Sequence, residues 1–180
     1  MSIKDGWVDD ARRCPSPNFN ERPDKQEPSL LVIHNISLPP GKYGGGNIEA
    51  FFRNQLDPAA HPYFEEIKDL QVSAHFLIAR DGELTQFVSC LDRAWHAGVS
   101  SYCGREQCND FSIGIELEGQ DDEVYTDEQY STLASLTRKI MLEYPDIDAQ
   151  SIVGHCDIAP DRKTDPGEAF EWLRYKSAIR

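Results

Sequence analysis

The sequence has no long apolar run. None of its stretches approaches the ~18 consecutive apolar residues that a membrane span needs, and the opening "MSIKDGWVDDARRC" has no apolar core of the kind a signal peptide carries. The expectation is a cytoplasmic protein that does not enter a membrane. Basic residues are scarce as well: 18 Lys and Arg stand against 31 Asp and Glu, a net charge of −13. A protein that tracks phosphates needs a basic face for counterion release, so nucleic acid and anionic lipid surfaces are excluded as partners. Five cysteines (Cys14, Cys90, Cys103, Cys108, Cys156) form no framework. Their odd number, their irregular spacing and the absence of a two-residue zinc-knuckle spacing point to reduced thiols. There is no internal repeat, low-complexity tract or linker. With 39% apolar and 27% charged residues in 180 positions, residues 1–180 are expected to form one domain with a full core, and we take it as a monomer.

What is present alternates strands with helices. "SLLVIHN", 29–35, is a short continuous apolar run that reads as a strand buried on both faces and ending at His34. "SLPPGKYGGG" breaks it, a helix over 48–56 follows, and "DPAAHPYF" returns through more proline. "VSAHFLIARDGELTQFVSC" alternates on both sides of Asp81-Gly82 and predicts a hairpin. A strand is expected over 94–98. In "FSIGIELEG", Phe111, Ile113, Ile115 and Leu117 face one way while Ser112, Gly114, Glu116 and Glu118 face the other. Thr126 and Gln129 form a capping box for a helix with apolar Leu133, Leu136, Ile140 and Met141. "SIVGH" is a last strand, and a last helix is expected over 168–179. The pattern is that of an α/β (α+β) single domain with a central mixed β-sheet flanked by helices.

Three of these strands run into polar side chains: His34, Glu116 and His155. Sheet proteins gather sites beyond the carboxyl ends of their strands. Two histidines and an aspartate that leave a fourth position open match a catalytic zinc site, and His34, His155 and Asp165 can supply them. The alternatives have their own physical sense. Asp165, followed by Pro166 and with Glu168 three residues on, also reads as a helix N-cap. Cys156 is a softer donor beside His155, but strand alternation should turn it away from the metal and into the core. His61, His75 and His96 compete for the metal, and Lys163 alone reads as a solvated surface charge.

Taken together, "LLVIHNISLPPG", "HPYFEEI", "RAWHAGVSS", "CNDFSIGIELEG", "YTDEQY" and "GHCDIAPDRKTDPG" resemble the AmpD family of cytoplasmic N-acetyl-anhydromuramyl-L-alanine amidases over nearly the whole chain. The resemblance implies a peptidoglycan-recognition-type zinc amidase fold with one Zn2+ per chain on His34, His155 and Asp165. It also implies Glu116 as catalytic acid and base, Lys163 as the assisting cation, and an anhydromuropeptide as substrate. Its role would lie in peptidoglycan recycling, with an indirect effect on β-lactamase induction. For the sugar, lactyl group and peptide, the sequence offers Asn35, Tyr63, Trp95, His96 and Asn109. Gln71 and Gln107 are neutral where a clamp for the stem-peptide carboxylates is expected, which leaves Arg80, Arg105 or Arg162 for that task. The excursion over 37–63, with its Gly44-Gly45-Gly46 run, is expected to form a rim or lid. The rival readings are a binding module that recognises wall fragments without cutting them, which the intact five-residue set disfavours, and an autolysin of intact wall.

Overall fold

The computed structural model describes residues 2–180. In chain order its main elements are β1 (Arg12–Arg13), β2 (Leu30–Ile36), α1 (Asn47–Phe52), α2 (Pro62–Ile67), β3 (Phe76–Ile78) and β4 (Leu84–Gln86). These are followed by β5 (Ser112–Glu118), α3 (Asp127–Glu143), β6 (Ile152–Gly154), the short α4 (His155–Ile158) and α5 (Trp172–Ala178). Six strands form one sheet in the order β6-β2-β5-β3-β4-β1. The pairs β6-β2, β2-β5 and β5-β3 are parallel, β3-β4 is antiparallel and β4-β1 is parallel. This is the mixed sheet the alternation predicts.

The parity of β2 and β5 divides the sheet into two faces. Leu31, Ile33, Ile113, Ile115 and Leu117 pack with Leu133, Leu136 and Ile140 of α3 and with Tyr175 of α5 in one continuous core. Leu133, Leu136 and Ile140 are wholly buried, and each such side chain contributes about 1.5–3 kcal/mol through burial. The capping box at Thr126 is formed: the Gln129 amide donates to its hydroxyl at 3.1 Å, and its own amide donates back to Gln129 Oε1 at 3.1 Å.

The opposite face carries two separate apolar clusters. Leu77 packs there with Phe51, Phe52, Phe64 and Ile67 from α1 and α2. Leu30 and Val32 pack with Ala97, Phe111 and Ile158. His34, Ser112, Gly114 and Glu116 have the same parity as Leu30 and Val32. The polar residues therefore emerge on a face otherwise closed by two apolar blocks.

Several sequence expectations shift. β2 continues past His34 to Ile36, and α1 covers Asn47–Phe52 rather than 48–56. The hairpin forms, with Gly82 left-handed at φ +84° as its turn requires. The strand expected over 94–98 is instead Asp92–Ala94, paired with Phe19–Glu21, because the following residues are drawn into the site. No helix starts at Asp165. Gly167 stands at φ +82°, outside helical space, and the last helix begins only at Trp172. The N-cap reading of Asp165 and the helix over 168–179 are corrected accordingly.

Candidate metal centre and active site

Strand register builds the site. His34 is the Cα partner of Glu116 in the β2-β5 pairing, so the two side chains leave the same face side by side. Gly154, the last residue of β6, pairs with Ile33. One step further along, His155 comes alongside His34. Three adjacent parallel strands thus present His155, His34 and Glu116 as a row.

Asp165 reaches this row from the loop after α4. Its carbonyl accepts from the Cys156 amide at 3.0 Å, and the neighbouring Pro166 carbonyl accepts from Tyr125 Oη at 2.7 Å and from Asn35 Nδ2 at 3.2 Å. The Asp165–Pro166 peptide bond is cis. A methyl group on Gly167 would overlap Asp121, with its carbon 2.1 Å from the Asp121 Cα, so only glycine lets the loop lie this close.

The donor atoms converge. His34 Nδ1 lies 3.0 Å from His155 Nδ1 and 3.0 Å from Asp165 Oδ2, and His155 Nδ1 lies 3.1 Å from the same oxygen. Donors about 2.0–2.1 Å from a tetrahedral centre stand about 3.3 Å from one another. The trio is therefore close to ligand spacing before any adjustment. On the far side of its ring, His155 Nε2 donates to the Ala97 carbonyl at 3.0 Å, which leaves Nδ1 as the lone-pair nitrogen.

Burial sets the charges. Desolvation pushes the His34 imidazole down to about 4, against the upward pull of the Asp165 hydrogen bond, so the ring is neutral at pH 7 and able to ligate. For Asp165, burial acts upward, but hydrogen bonds from His155 and His34 prevail and hold the carboxyl well below its ordinary range. Two imidazoles and a carboxylate, gathered and mostly buried, suit a divalent cation of the zinc type.

Glu116 is different. Burial and the nearby Asp165 charge lift its carboxyl well above 4.5, with Lys163 acting the other way. Its Oε2 is buried without a hydrogen-bond partner. A cavity of about 360 Å3 opens over Glu116 and the metal trio, and Lys163, Tyr63 and Trp95 also line it. Ser37, Leu38 and Pro40 of the 37–63 excursion form part of its wall, as the rim reading expects.

The competing histidines fall into other roles. His61 caps α2, its Nδ1 accepting the Tyr63 amide at 3.1 Å. His75 is fully buried, accepts the Gly114 amide at 3.0 Å through Nδ1 and bonds the Asp92 carbonyl at 3.0 Å through Nε2. His96 contacts His34 and not the trio's centre. Cys156 is not in the core: the strand stops at Gly154, His155 and Cys156 begin a helix, and the alternation argument lapses, leaving Cys156 half-exposed.

Of the recognition residues, Trp95 donates Nε1 to Asn20 at 2.7 Å and Tyr63 stands at the cavity edge. Asn35 donates to Asp121, Tyr125 and the Pro166 carbonyl, so its amide group fastens the loop that carries Asp165. Asn109 Oδ1 accepts the His96 and Ala97 amides at 3.1 and 2.8 Å. Among the three arginines, Arg80 pairs with Glu123 and Arg105 lies over Phe111, both away from the cavity, whereas Arg162 lines the adjoining space with Gln71, Trp95 and Lys163. What the sequence reading missed is the work of Gly114: a Cβ there would come within 2.5 Å of the His96 ring. The space it leaves is filled by that ring and does not stay open beside Glu116.

The sequence profile of N-acetylmuramoyl-L-alanine amidases matches residues 24–168. The chain belongs to the N-acetylmuramoyl-L-alanine amidase family. Among its relatives, it is 61% identical over 179 residues to the 1,6-anhydro-N-acetylmuramyl-L-alanine amidase AmpD of Escherichia coli strain K12, covering 99% of this chain and 97% of that one. It superposes on the crystal structure of a selenomethionine AmpD derivative with a TM-score of 0.98 at 58% identity, both chains covered in full. A more distant amidase, AmiD of E. coli, is solved in complex with the substrate anhydro-N-acetylmuramic acid-L-Ala-D-gamma-Glu-L-Lys; it gives a TM-score of 0.60 at 26% identity, over 96% of this chain and 60% of that one. The family and the mixed α/β amidase fold expected from the sequence motifs are thus borne out, and the chain is an amide hydrolase.

Proposed function

We propose that this amidase, one catalytic domain over residues 1–180, uses one zinc ion held by His34, His155 and Asp165. Its reaction is cleavage of the amide between the lactyl group of 1,6-anhydro-N-acetylmuramic acid and the L-alanine of the stem peptide. The observation that carries this reading is the row His155, His34, Glu116, completed by Asp165 and opening into one cavity. At about 360 Å3 the cavity lies within the roughly 300–1,000 Å3 usual for small-molecule sites, which suits a soluble fragment.

Zinc in such a site supplies a Lewis acid that polarises a carbonyl and brings the pKa of water towards about 7. The chain's own groups do the rest. Glu116 takes a proton from the attacking water through its unpartnered Oε2 and later returns it to the leaving L-alanine nitrogen. Burial lifts its pKa in the direction such proton exchange near neutrality requires. Lys163, exposed on the rim, offers its ammonium to the oxygen of the lactyl carbonyl as negative charge develops there. Tyr63 and Trp95 present flat amphipathic faces to the sugar, and Arg162 supplies, for the stem-peptide carboxylates, the positive charge that Gln71 and Gln107 lack. The same reading makes the enzyme a cytoplasmic monomer of peptidoglycan recycling, with any influence on β-lactamase induction exerted through removal of its substrate.

Metal content and turnover test the proposal together. The purified protein should carry one zinc per chain and release the peptide from anhydromuropeptide faster than from intact sacculus. A protein that binds no zinc and cuts neither substrate overturns it; preference for sacculus favours a wall autolysin with the same chemistry.

A further inference from the structure

Both histidines of the trio take their orientation from one two-residue segment, His96-Ala97. His34 turns Nδ1 towards His155 and Asp165, which leaves Nε2 on the other side of the ring, 2.8 Å from Nδ1 of His96. If Nδ1 of His34 is the lone-pair nitrogen, its proton is on Nε2 and is donated to His96. His96 then accepts at Nδ1, so its own proton is on Nε2, 3.0 Å from Ser112 Oγ. The hydrogen bonds therefore run in one direction, from His34 to His96 to Ser112. Ser112 is fully buried in β5, where a small hydroxyl has no other evident reason to replace an apolar side chain.

The sheet is shaped to admit this ring. A Cβ on Gly114 would stand 2.5, 2.6 and 2.7 Å from Cγ, Nδ1 and Cδ2 of His96. No side chain fits there without displacing the imidazole. The Gly114 backbone needs no left-handed conformation, so the demand is for space alone.

The backbone of the same segment serves the second histidine. Asn109 Oδ1 accepts the amides of His96 and Ala97 at 3.1 and 2.8 Å. The Ala97 carbonyl, fixed by this clamp, accepts from His155 Nε2 at 3.0 Å. One segment thus offers a side-chain acceptor to His34 and a main-chain acceptor to His155.

We propose that His96 is a positioning residue of the metal centre, holding His34 in the tautomer that presents Nδ1 to the metal, with Gly114 as its slot, Ser112 as its far anchor and Asn109 as the clamp that couples it to His155. This deepens the zinc reading and rests on it. Outer hydrogen-bond partners of metal-bound histidines fix tautomer and ring orientation, and their loss typically weakens metal binding about 10- to 100-fold.

The test measures zinc affinity by competition with a chromophoric chelator on the full chain, together with the 15N shifts of the His34 ring in the zinc-loaded protein. His96→Leu should weaken zinc by about 10- to 100-fold and broaden or shift the His34 ring signals. His96→Asn places an oxygen where Nδ1 stood and should recover most of the loss. Gly114→Ala should reproduce His96→Leu with the histidine still present, and Ser112→Ala should weaken zinc less, in the same direction. If His96→Leu fails to fold, the asparagine and Ser112→Ala variants decide. Wild-type zinc affinity in His96→Leu overturns the inference, as does an asparagine variant as weak as the leucine one, since ring packing and not the hydrogen bond would then be responsible. Tight zinc binding by the wild type in either case leaves the zinc reading standing; a wild-type chain without zinc affinity removes both.

Discussion

Replacing Glu116 by glutamine separates what this carboxyl does for the reaction from what it does to the fold. Its Oε2 is buried without a partner, and burial with the Asp165 charge lifts its pKa well above 4.5. A buried polar atom left unsatisfied costs about 1–3 kcal/mol, and more when charged. The sign of the pH dependence follows from the raised value. Below pH 4.5 both the folded and the unfolded chain hold the proton, and the full stability is present. As pH rises towards the folded pKa, only the unfolded chain releases its proton, and stability falls by up to about 1.4 kcal/mol per pH unit. Glutamine does not titrate. The stability advantage of Glu116→Gln over wild type should therefore grow as pH rises above 4.5, measured by urea unfolding in the presence of a chelator. With zinc restored, the variant should keep one metal per chain while turnover falls by about 10²–10⁴, the range of general acid–base groups. A difference in stability that does not change with pH would refute the desolvated placement of Glu116. Loss of zinc would make Glu116 a ligand and refute its assignment as the base.

Lys163→Met removes a charge that acts mainly on the developing oxyanion, so kcat should drop by roughly 10²–10³ with KM changed far less; steady-state kinetics that show a change in KM alone would make it a carboxylate clamp instead. Asp165→Asn should abolish stoichiometric zinc by metal analysis while the far-ultraviolet circular dichroism stays unchanged, because no helix starts at that residue; a loss of helix signal would restore the capping role. Burial depresses His34 to about 4 and His75 to about 3, and takes His96 well below 6.5. Depressed histidines give stability that is present above the unfolded value and lost as pH falls. Each loses up to about 1.4 kcal/mol per unit, and the three outweigh the opposing carboxyls, Glu116 and Asp92, whose values are raised by burial. The metal-free protein should therefore weaken from pH 6.5 towards pH 4 in urea titrations, and a flat profile over that window would show that these rings are not held neutral.

Most of the candidate site was legible because polar residues interrupt apolar strands at readable places. His34 follows a run of four apolar residues, Glu116 alternates with Ile115 and Leu117, and the Thr126 box announces α3. The errors have specific physical sources. Asp-Pro-Gly-Glu at 165–168 carries the residue types of a capping box, yet the left-handed Gly167, pressed against Asp121, prevents the helix that such a box serves. Cys156 was assigned by strand alternation to a position that lies beyond the strand, so the two-residue period did not apply. At Gly114 the sequence records a missing side chain but not the His96 ring, from another segment, that occupies the space. The sequence also does not record the internal bonds of Asn35, to Asp121, Tyr125 and the Pro166 carbonyl, or of Asn109, to the His96 and Ala97 amides.

The location of the centre follows from the way the sheet is buried. His34 and Glu116 belong to strands whose other face is locked into the α3 core through Leu31, Ile33, Ile113, Ile115 and Leu117. A slip of one residue in either strand would turn its whole apolar set towards the polar face, at a cost of many buried side chains. The pairing of His34 with Glu116 therefore inherits its definition from hydrophobic burial on the side away from the chemistry. On the near face, which carries two separate apolar clusters, Gly114 and Ser112 of β5 admit the His96 ring. On this side the chain gathers the buried His34, His75 and Glu116 and the half-buried His96, whose charged forms burial disfavours. Neutral imidazoles are the state that ligation needs, and a carboxylate of raised pKa is the stronger proton acceptor, so the desolvation that weakens the fold also prepares the site.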